Sequence, residues 1–369
     1  MPINASLKNV QVNFLNEPTS NPPRMIDISH FNQNIYNEIR QRGHFLTDLN
    51  LIHCASIHYQ SRFQTNISRR FRYTLDTIEP SLLDGRTHFH FNNFEEAELQ
   101  KISSEVIGVG FAVSLFQKLI DVNFNCFIRI PPSGSSKRCD FEIYKHGNTF
   151  IMESKGRKNG LNSAKREIYS QKASRTGCLV KYGCIATIKR NRTPVYLTVV
   201  DPPEISVPKR KEDRILDLLI YYTKVLQLCG FYNLANHLNK RVADISDNRH
   251  MIEEYNNSSI EYKNVIKAGR EAEIFLSGNA PFKTFITNNL EVGFKKTIKF
   301  KGNEYLLLFG IDSELLDIIE MQNYDSLLSY NYTRDIQQYD SLYGTNASIH
   351  NDGTFLVIVP KGSILRLFE

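Results

Sequence analysis

Three residues of the chain have the types and spacing to do chemistry together: Asp140, Glu153 and Lys155, the last two within Glu153-Ser154-Lys155. Strand-like stretches at 138–144 and 149–154 flank Lys145-His146-Gly147-Asn148, whose residues suit a hairpin turn. Alternation puts Glu153 and Lys155 on one face of the second strand. It puts Asp140 and Glu142 on one face of the first, with Phe141 and Ile143 on the other. A short turn lets Asp140 and Glu153 sit close in space. Two converging carboxylates repel each other unless a cation lies between them. Hard oxygen ligands of this kind suit Mg2+ or Mn2+, which keep several waters and share phosphate oxygens. A lysine beside such a carboxylate can help deprotonate and orient a metal-bound water, or stabilise charge developing on a phosphate.

The charge distribution points the same way. The chain has 369 residues, 45 Lys+Arg and 39 Asp+Glu, a formal net charge of +6. Between Lys155 and Arg192 lie 11 bases and a single acid, Glu167, so the strip carries net +10 and the rest of the chain net −4. Such a strip can neutralise phosphates and release their counterions. It begins at Lys155, so the expected catalytic point and the expected phosphate-binding surface coincide.

The elements that must position these residues are legible in part. Residues 94–120 form the clearest helix, with Leu99, Ile102, Val106, Val109, Val113, Phe116 and Ile120 in one apolar stripe. Gly108 and Gly110 within it mark close packing or a break. A strand at 126–130 precedes the hairpin, a helix at 162–175 follows it, and strands at 181–189 and 195–200 come next. Residues 1–24 read as a polar extended arm, 32–42 as a helix, and 201–208 as a linker. Beyond it, helices at 215–228, 232–242 and 313–321 and strands at 282–287, 294–300, 305–311, 354–360 and 363–368 suggest a separate α+β domain. The expected division is 1–93 as an N-terminal, mostly helical extension, 94–208 as the core, and 209–369 as the C-terminal domain. The fold class expected is α/β (α+β), with a mixed central sheet flanked by helices.

Asp140 followed by Glu153-Ser154-Lys155 on the next strand resembles the PD-(D/E)XK nuclease core, the restriction-endonuclease-like fold; here Cys139 stands where that name has proline. The resemblance covers roughly residues 94–200. It implies hydrolysis of nucleic-acid phosphodiester bonds, with Asp140 and Glu153 holding the metal and Lys155 activating water. The family's helix before the hairpin often supplies another acid. Glu105 lies about 60° from the centre of the apolar stripe and is preferred as that acid; Glu98, on the same border, is its rival. The helix after the hairpin often contacts substrate. Arg157, Lys158, Lys165, Arg166, Gln171, Lys172 and Arg175 are therefore the expected nucleic-acid contacts. Some branches carry a tyrosine four residues after the glutamine, where this chain has Arg175.

The resemblance implies a DNA endonuclease, and by analogy one of restriction or anti-phage defence type. The competing reading is a non-catalytic nucleic-acid-binding scaffold on the same fold. The expected partners are nucleic acid, DNA before RNA, and a second copy of the chain or a partner protein. No apolar run reaches the length of a membrane span, no secretory pattern opens the chain, and the six cysteines form no Cys-x-x-Cys pair. A reducing, cytoplasmic setting is expected. His53, His58, His88 and His90 lack the spacing of a metal site, and the tyrosines from Tyr324 to Tyr343 read as core of a small domain.

Overall fold

A computed structural model of the chain describes residues 7–15, 26, 28–59, 67–83, 87–92, 96–130, 140–145, 148–159, 161–173, 180–189, 193–200, 211–229, 231–258, 280–287, 289–300, 303–332 and 346–360. In chain order its elements are β1 (Lys8–Leu15), α1 (Gln33–Arg42), β2 (His44–Leu46), α2 (Asp48–His58), α3 (Ile67–Ile78) and α4 (Ala97–Ile120). A 3-10 turn (Phe124–Cys126) leads to β3 (Phe127–Arg129), β4 (Phe141–Lys145), β5 (Asn148–Arg157), α5 (Leu161–Ala173), β6 (Val180–Thr187) and β7 (Tyr196–Val200). The C-terminal part holds α6 (Lys211–Leu228), α7 (Tyr232–Asp247), α8 (Met251–Tyr255), β8 (Ala280–Thr287), β9 (Asn289–Phe300) and β10 (Asn303–Asp312). It closes with α9 (Ser313–Glu320), α10 (Tyr324–Ser329), β11 (Asn346–Ile349) and β12 (Thr354–Pro360).

The protein is mixed α/β. A seven-stranded sheet runs β2-β1-β7-β6-β5-β4-β3, and a five-stranded sheet runs β11-β12-β10-β9-β8. In the larger sheet β3, β4 and β5 form an antiparallel meander. The step from β5 to β6 is parallel and crosses through α5; β6 and β7 are then antiparallel. The five-stranded sheet is antiparallel throughout.

The polar-arm reading of residues 1–24 is corrected over Lys8–Leu15. This segment is β1, parallel to β7, with Gln11 opposite Tyr196. Val10 and Val12 are buried on one face, and Lys8 is buried against Asp48 through a 2.6 Å ion pair. The large sheet therefore draws strands from before residue 94 as well as after it. The 201–208 linker and the 363–368 strand lie outside the described residues.

Helix α4 is the spine of the core. It packs on α2 and on β5. Gly108 and Gly110 mark close packing, not a break: a Cβ at Gly108 would meet the Gly156 backbone at 2.6 Å, and one at Gly110 would meet Leu51 at 2.8 Å. Against the expectation that no apolar run reaches the length of a membrane span, α4 is, among the described residues, the one helix long and apolar enough to cross a membrane; most of it is buried inside this fold. Helix α2 starts with a capping box, Thr47 against Asn50, and is buried on all sides.

The five-stranded sheet shares one apolar core with the large one. The join is polar as well as apolar. Asn50 and His53 of α2 both hydrogen-bond Ser348 Oγ, at 2.9 Å each. The Tyr221 hydroxyl donates to buried Asp352, and the Tyr222 hydroxyl to its carbonyl. His53 and His58 are buried here, as is His350, whose ring centroid lies 4.1 Å from that of His53. Tyr324 and Tyr332 are buried packing residues; Tyr339 and Tyr343 lie outside the described residues.

Candidate functional site

The site is built on the β4–β5 hairpin. Phe141 pairs with Met152 and Ile143 with Phe150, which sends these apolar side chains to one face and into the core. Continuing that register by one residue sets Asp140 opposite Glu153, on the other face. Asp140 is fixed on three sides. Its Oδ2 accepts from Ser154 N at 3.0 Å and Ser154 Oγ at 2.7 Å. Its Oδ1 takes Arg129 Nη2 of β3 at 3.0 Å. The Arg129 guanidinium in turn lies 4.9 Å from the Phe141 ring centroid.

Glu153 is 1% exposed. Lys155 Nζ, two residues on and on the same face, sits 2.6 Å from its Oε1. Burial pushes the Glu153 carboxyl up to about 7, and repulsion from Asp140 adds to this; Lys155 and Arg129 act against it. Among the described residues its Oε2 is buried without a hydrogen-bond partner, and so is Arg129 Nη1.

The two faces of the sheet receive different helices. Gly156 points to α4: a Cβ there would stand 1.6 Å from Ser104 O. By alternation Glu153 and Lys155 face the other way, towards α5. Helix α5 seats Ala164 and Ile168 on that face with Ile185 and Val200. The acid that α5 presents is Glu167. Its Oε2 lies 2.5 Å from Arg157 Nη2 and 3.9 Å from Lys155 Nζ.

No family model, curated protein or solved structure matches this chain.

Of the four expected catalytic residues, Asp140, Glu153 and Lys155 come together. Glu105 is placed differently. It is half-buried on α4 beside Tyr59 and Tyr73, where its charge helps raise both phenols; burial is the larger cause, and carries Tyr59 up to about 12. Glu98 is exposed in the first turn of α4. Among the described residues no group of three His, Cys, Asp or Glu side chains is assembled to hold a metal. Of the expected set of Asp140, Glu153 and Glu105, Asp140 and Glu153 interact on the hairpin, while Glu105 interacts with Tyr59 and Tyr73.

Among the expected nucleic-acid contacts, Lys158 and Arg166 are exposed, and Arg157 and Lys165 half-buried. Gln171 and Lys172 lie on α5 but their side chains, and Arg175 altogether, fall outside the described residues. One base of the strip is not surface at all: Lys181 is buried in β6. Arg129, Ser154 and Glu167 were not foreseen. Ser154 sits inside the motif, and Glu167 was visible as the single acid of the strip. Nothing in the pattern marked Arg129. A cavity of about 500 Å3 lined by Asn13, Tyr36, Arg40, Tyr196 and Thr198 lies at the β1–β7 side of the sheet and includes none of the acid-site residues.

Asp140 and Glu153 are the residues that could hold a small divalent cation. Mg2+ is commonly held by one or two carboxylates, with water and substrate phosphate filling its octahedron. Glu153 Oε2 offers the open oxygen, and a cation between it and Asp140 would relieve their repulsion.

Proposed function

We propose that this chain is a divalent-metal-dependent nuclease with a restriction-endonuclease-like core, in which Asp140, Glu153 and Lys155 form the catalytic centre. The observation that carries the reading is Glu153: a buried carboxylate set against Asp140, with Lys155 on one oxygen and nothing on the other. An unsatisfied buried polar group costs about 1–3 kcal/mol, more when charged, and in native proteins it calls for a ligand or a chemical role. The order of α4, the β3–β4–β5 meander, α5, β6 and β7 supports the same reading, since it supplies a helix, a hairpin bearing both acids and a crossover helix on the active face.

Asp140 and Glu153 would hold Mg2+ or Mn2+, which when bound supplies an acidified water and screens the scissile phosphate. Lys155 orients the attacking water and offsets negative charge that grows on the phosphate. Arg129 holds Asp140 in place from β3 and keeps Nη1 for an incoming acceptor. Arg157, Lys158, Lys165 and Arg166 carry the flanking phosphates. The substrate read from this arrangement is DNA first and RNA second. The setting is a reducing cytoplasm and the role restriction or anti-phage defence, by analogy. The region from α6 to β12 would select substrate, bind a partner protein or a second copy, or regulate.

A specific observation favours a second reading, a non-catalytic nucleic-acid-binding scaffold. Each acid already has its own base, Asp140 with Arg129 and Glu153 with Lys155. Incubation with plasmid DNA and with labelled RNA, in Mg2+, Mn2+ or EDTA, separates the two. Metal-dependent cutting that disappears in Asp140→Ala, Glu153→Ala and Lys155→Ala is expected. Cutting that survives in all three variants sinks the site, and salt-sensitive binding without cutting on any substrate favours the scaffold.

A further inference from the structure

The single acid of the basic strip is aimed at its bases. Glu167 Oε2 sits 2.5 Å from Arg157 Nη2 and 3.9 Å from Lys155 Nζ, while Ser163 Oγ lies 3.5 Å from Oε1. Arg157 and Lys155 rise from alternate positions of β5, and Glu167 reaches them from α5. A carboxylate oxygen shared by a guanidinium and an ammonium occupies the place that a phosphate oxygen would take between the same two groups. We propose that Lys155 and Arg157 form a phosphate subsite and that Glu167 is its built-in counter-anion, displaced when a phosphodiester enters. The proposal rests on the nuclease reading of the site and names how that site is controlled.

The exposure of the parts suits a removable plug. The Glu167 side chain is 44% exposed and that of Arg157 is 26% exposed, so the pair is held weakly and can swing open into water. Lys155 is the opposite case. Its side chain is only 15% exposed and stays on Glu153 Oε1 at 2.6 Å. Opening the plug therefore frees one face of Lys155 without moving it from the acid pair. The plug also limits affinity. Each phosphate that enters must push a carboxylate into solvent, where it recruits a cation, so one counterion fewer is released than for an open subsite.

The test is equilibrium binding of the full chain to a fluorescein-labelled DNA duplex and to a labelled single-stranded RNA, in EDTA, over a KCl series. Glu167→Gln keeps the shape and removes the charge. It is expected to bind about 5-fold tighter at moderate salt, with a log K against log salt slope steeper by about 0.9, the value for one further phosphate on duplex DNA. Arg157→Ala should weaken binding, and adding Glu167→Gln to it should recover less than Glu167→Gln gains alone. Unchanged affinity and slope in Glu167→Gln, with losses in Lys165→Ala and Arg166→Ala, overturn the plug and leave the nuclease reading standing. Weaker binding by Glu167→Gln also overturns it, since Glu167 would then be bracing the two bases. If neither wild type nor any variant binds either probe at low salt, the nucleic-acid reading itself fails, and the plug with it.

Discussion

Gly156→Ala should be among the most damaging small substitutions in this protein. A Cβ at that position would lie 1.6 Å from Ser104 O and 2.4 Å from Ser104 C. A comfortable C···O approach is about 3.3–3.6 Å, so α4 would have to retreat from β5 by about 1.5–2 Å. Neither partner can yield by a rotamer change, because the clash is backbone against backbone. Ordinary overpacking costs about 1–3 kcal/mol, and a backbone clash that opens a gap under a core helix belongs above it, at about 4 kcal/mol. Two other glycines calibrate the series. Gly108→Ala meets the backbone of Gly156 at 2.6 Å but regains about 1 kcal/mol of helix propensity, so its net cost should be about 2 kcal/mol. Gly183→Ala meets only the methyl ends of Ile168 and Val200, at 2.7 and 2.8 Å, and should cost about 1 kcal/mol. Urea unfolding followed by circular dichroism gives the three midpoints, with unchanged m-values confirming a loss of stability. A Gly156→Ala midpoint indistinguishable from wild type would refute the close approach of α4 to β5. An order with Gly183→Ala worst would refute the backbone argument.

Acid should destabilise the join between the two sheets. Burial holds His53 and His58 down to about 3, and His350 well below its usual value; His53 also acts on His58 and His350, and Lys224 and Arg129 act on His58. The unfolded chain takes up protons from about 6.5 downward while the folded one does not, so stability is intact above that value and lost below it. At pH 5 the loss is about 2 kcal/mol for each of His53 and His58. Glu153 pulls the opposite way, so the measurement is a difference: between neutral pH and pH 5, wild type should lose more stability than His53→Asn, and equal losses would contradict the account. The buried pair Lys8–Asp48 gives a third expectation. Lys8→Met should destabilise the fold by breaking the buried ion pair, and Lys8→Met with Asp48→Leu should recover part of the loss. A double variant no more stable than the single would show that the carboxylate has other anchors.

The parts of the fold legible in the sequence are those with a one-sided pattern. The stripe from Leu99 to Ile120 marked α4, and alternation with a turn marked the hairpin that carries Asp140 and Glu153. Helix α2 was hidden because it is buried on every side and so has no stripe to read. Strand β1 was hidden by its neighbours: Val10, Val12 and Phe14 do alternate, but among asparagines and beside a proline-rich segment they read as an arm. Lys8 adds to the polar look of the segment although it is buried, and a buried lysine is rare unless paired. At the site, residue types and spacing were enough to expect Asp140 and Glu153 near one another on the hairpin, with Lys155 beside Glu153. Glu105 was read from helical periodicity, which says which residues border a buried face and not what they meet there; on α4 it meets Tyr59 and Tyr73. Glu167 needed the crossover of α5 to become a neighbour of Lys155.

The pairing of β1 with β7 has a consequence for how the chain is made. Gln11 emerges from the ribosome long before Tyr196, its partner across the ladder. Until β7 arrives, the described partners of the β1 backbone are the three-residue β2 and a single bridge near His88, and afterwards β7 has no outer neighbour unless β1 is there to cover it. Tyr196-Leu197-Thr198-Val199-Val200 left as an open edge is a template for another chain. The large sheet is therefore a late, long-range closure that folds slowly. Trimming the first fifteen residues as though they were a tail would turn an internal strand into a sticky border, and the loss would surface as aggregation before it surfaced in any assay of the acid site.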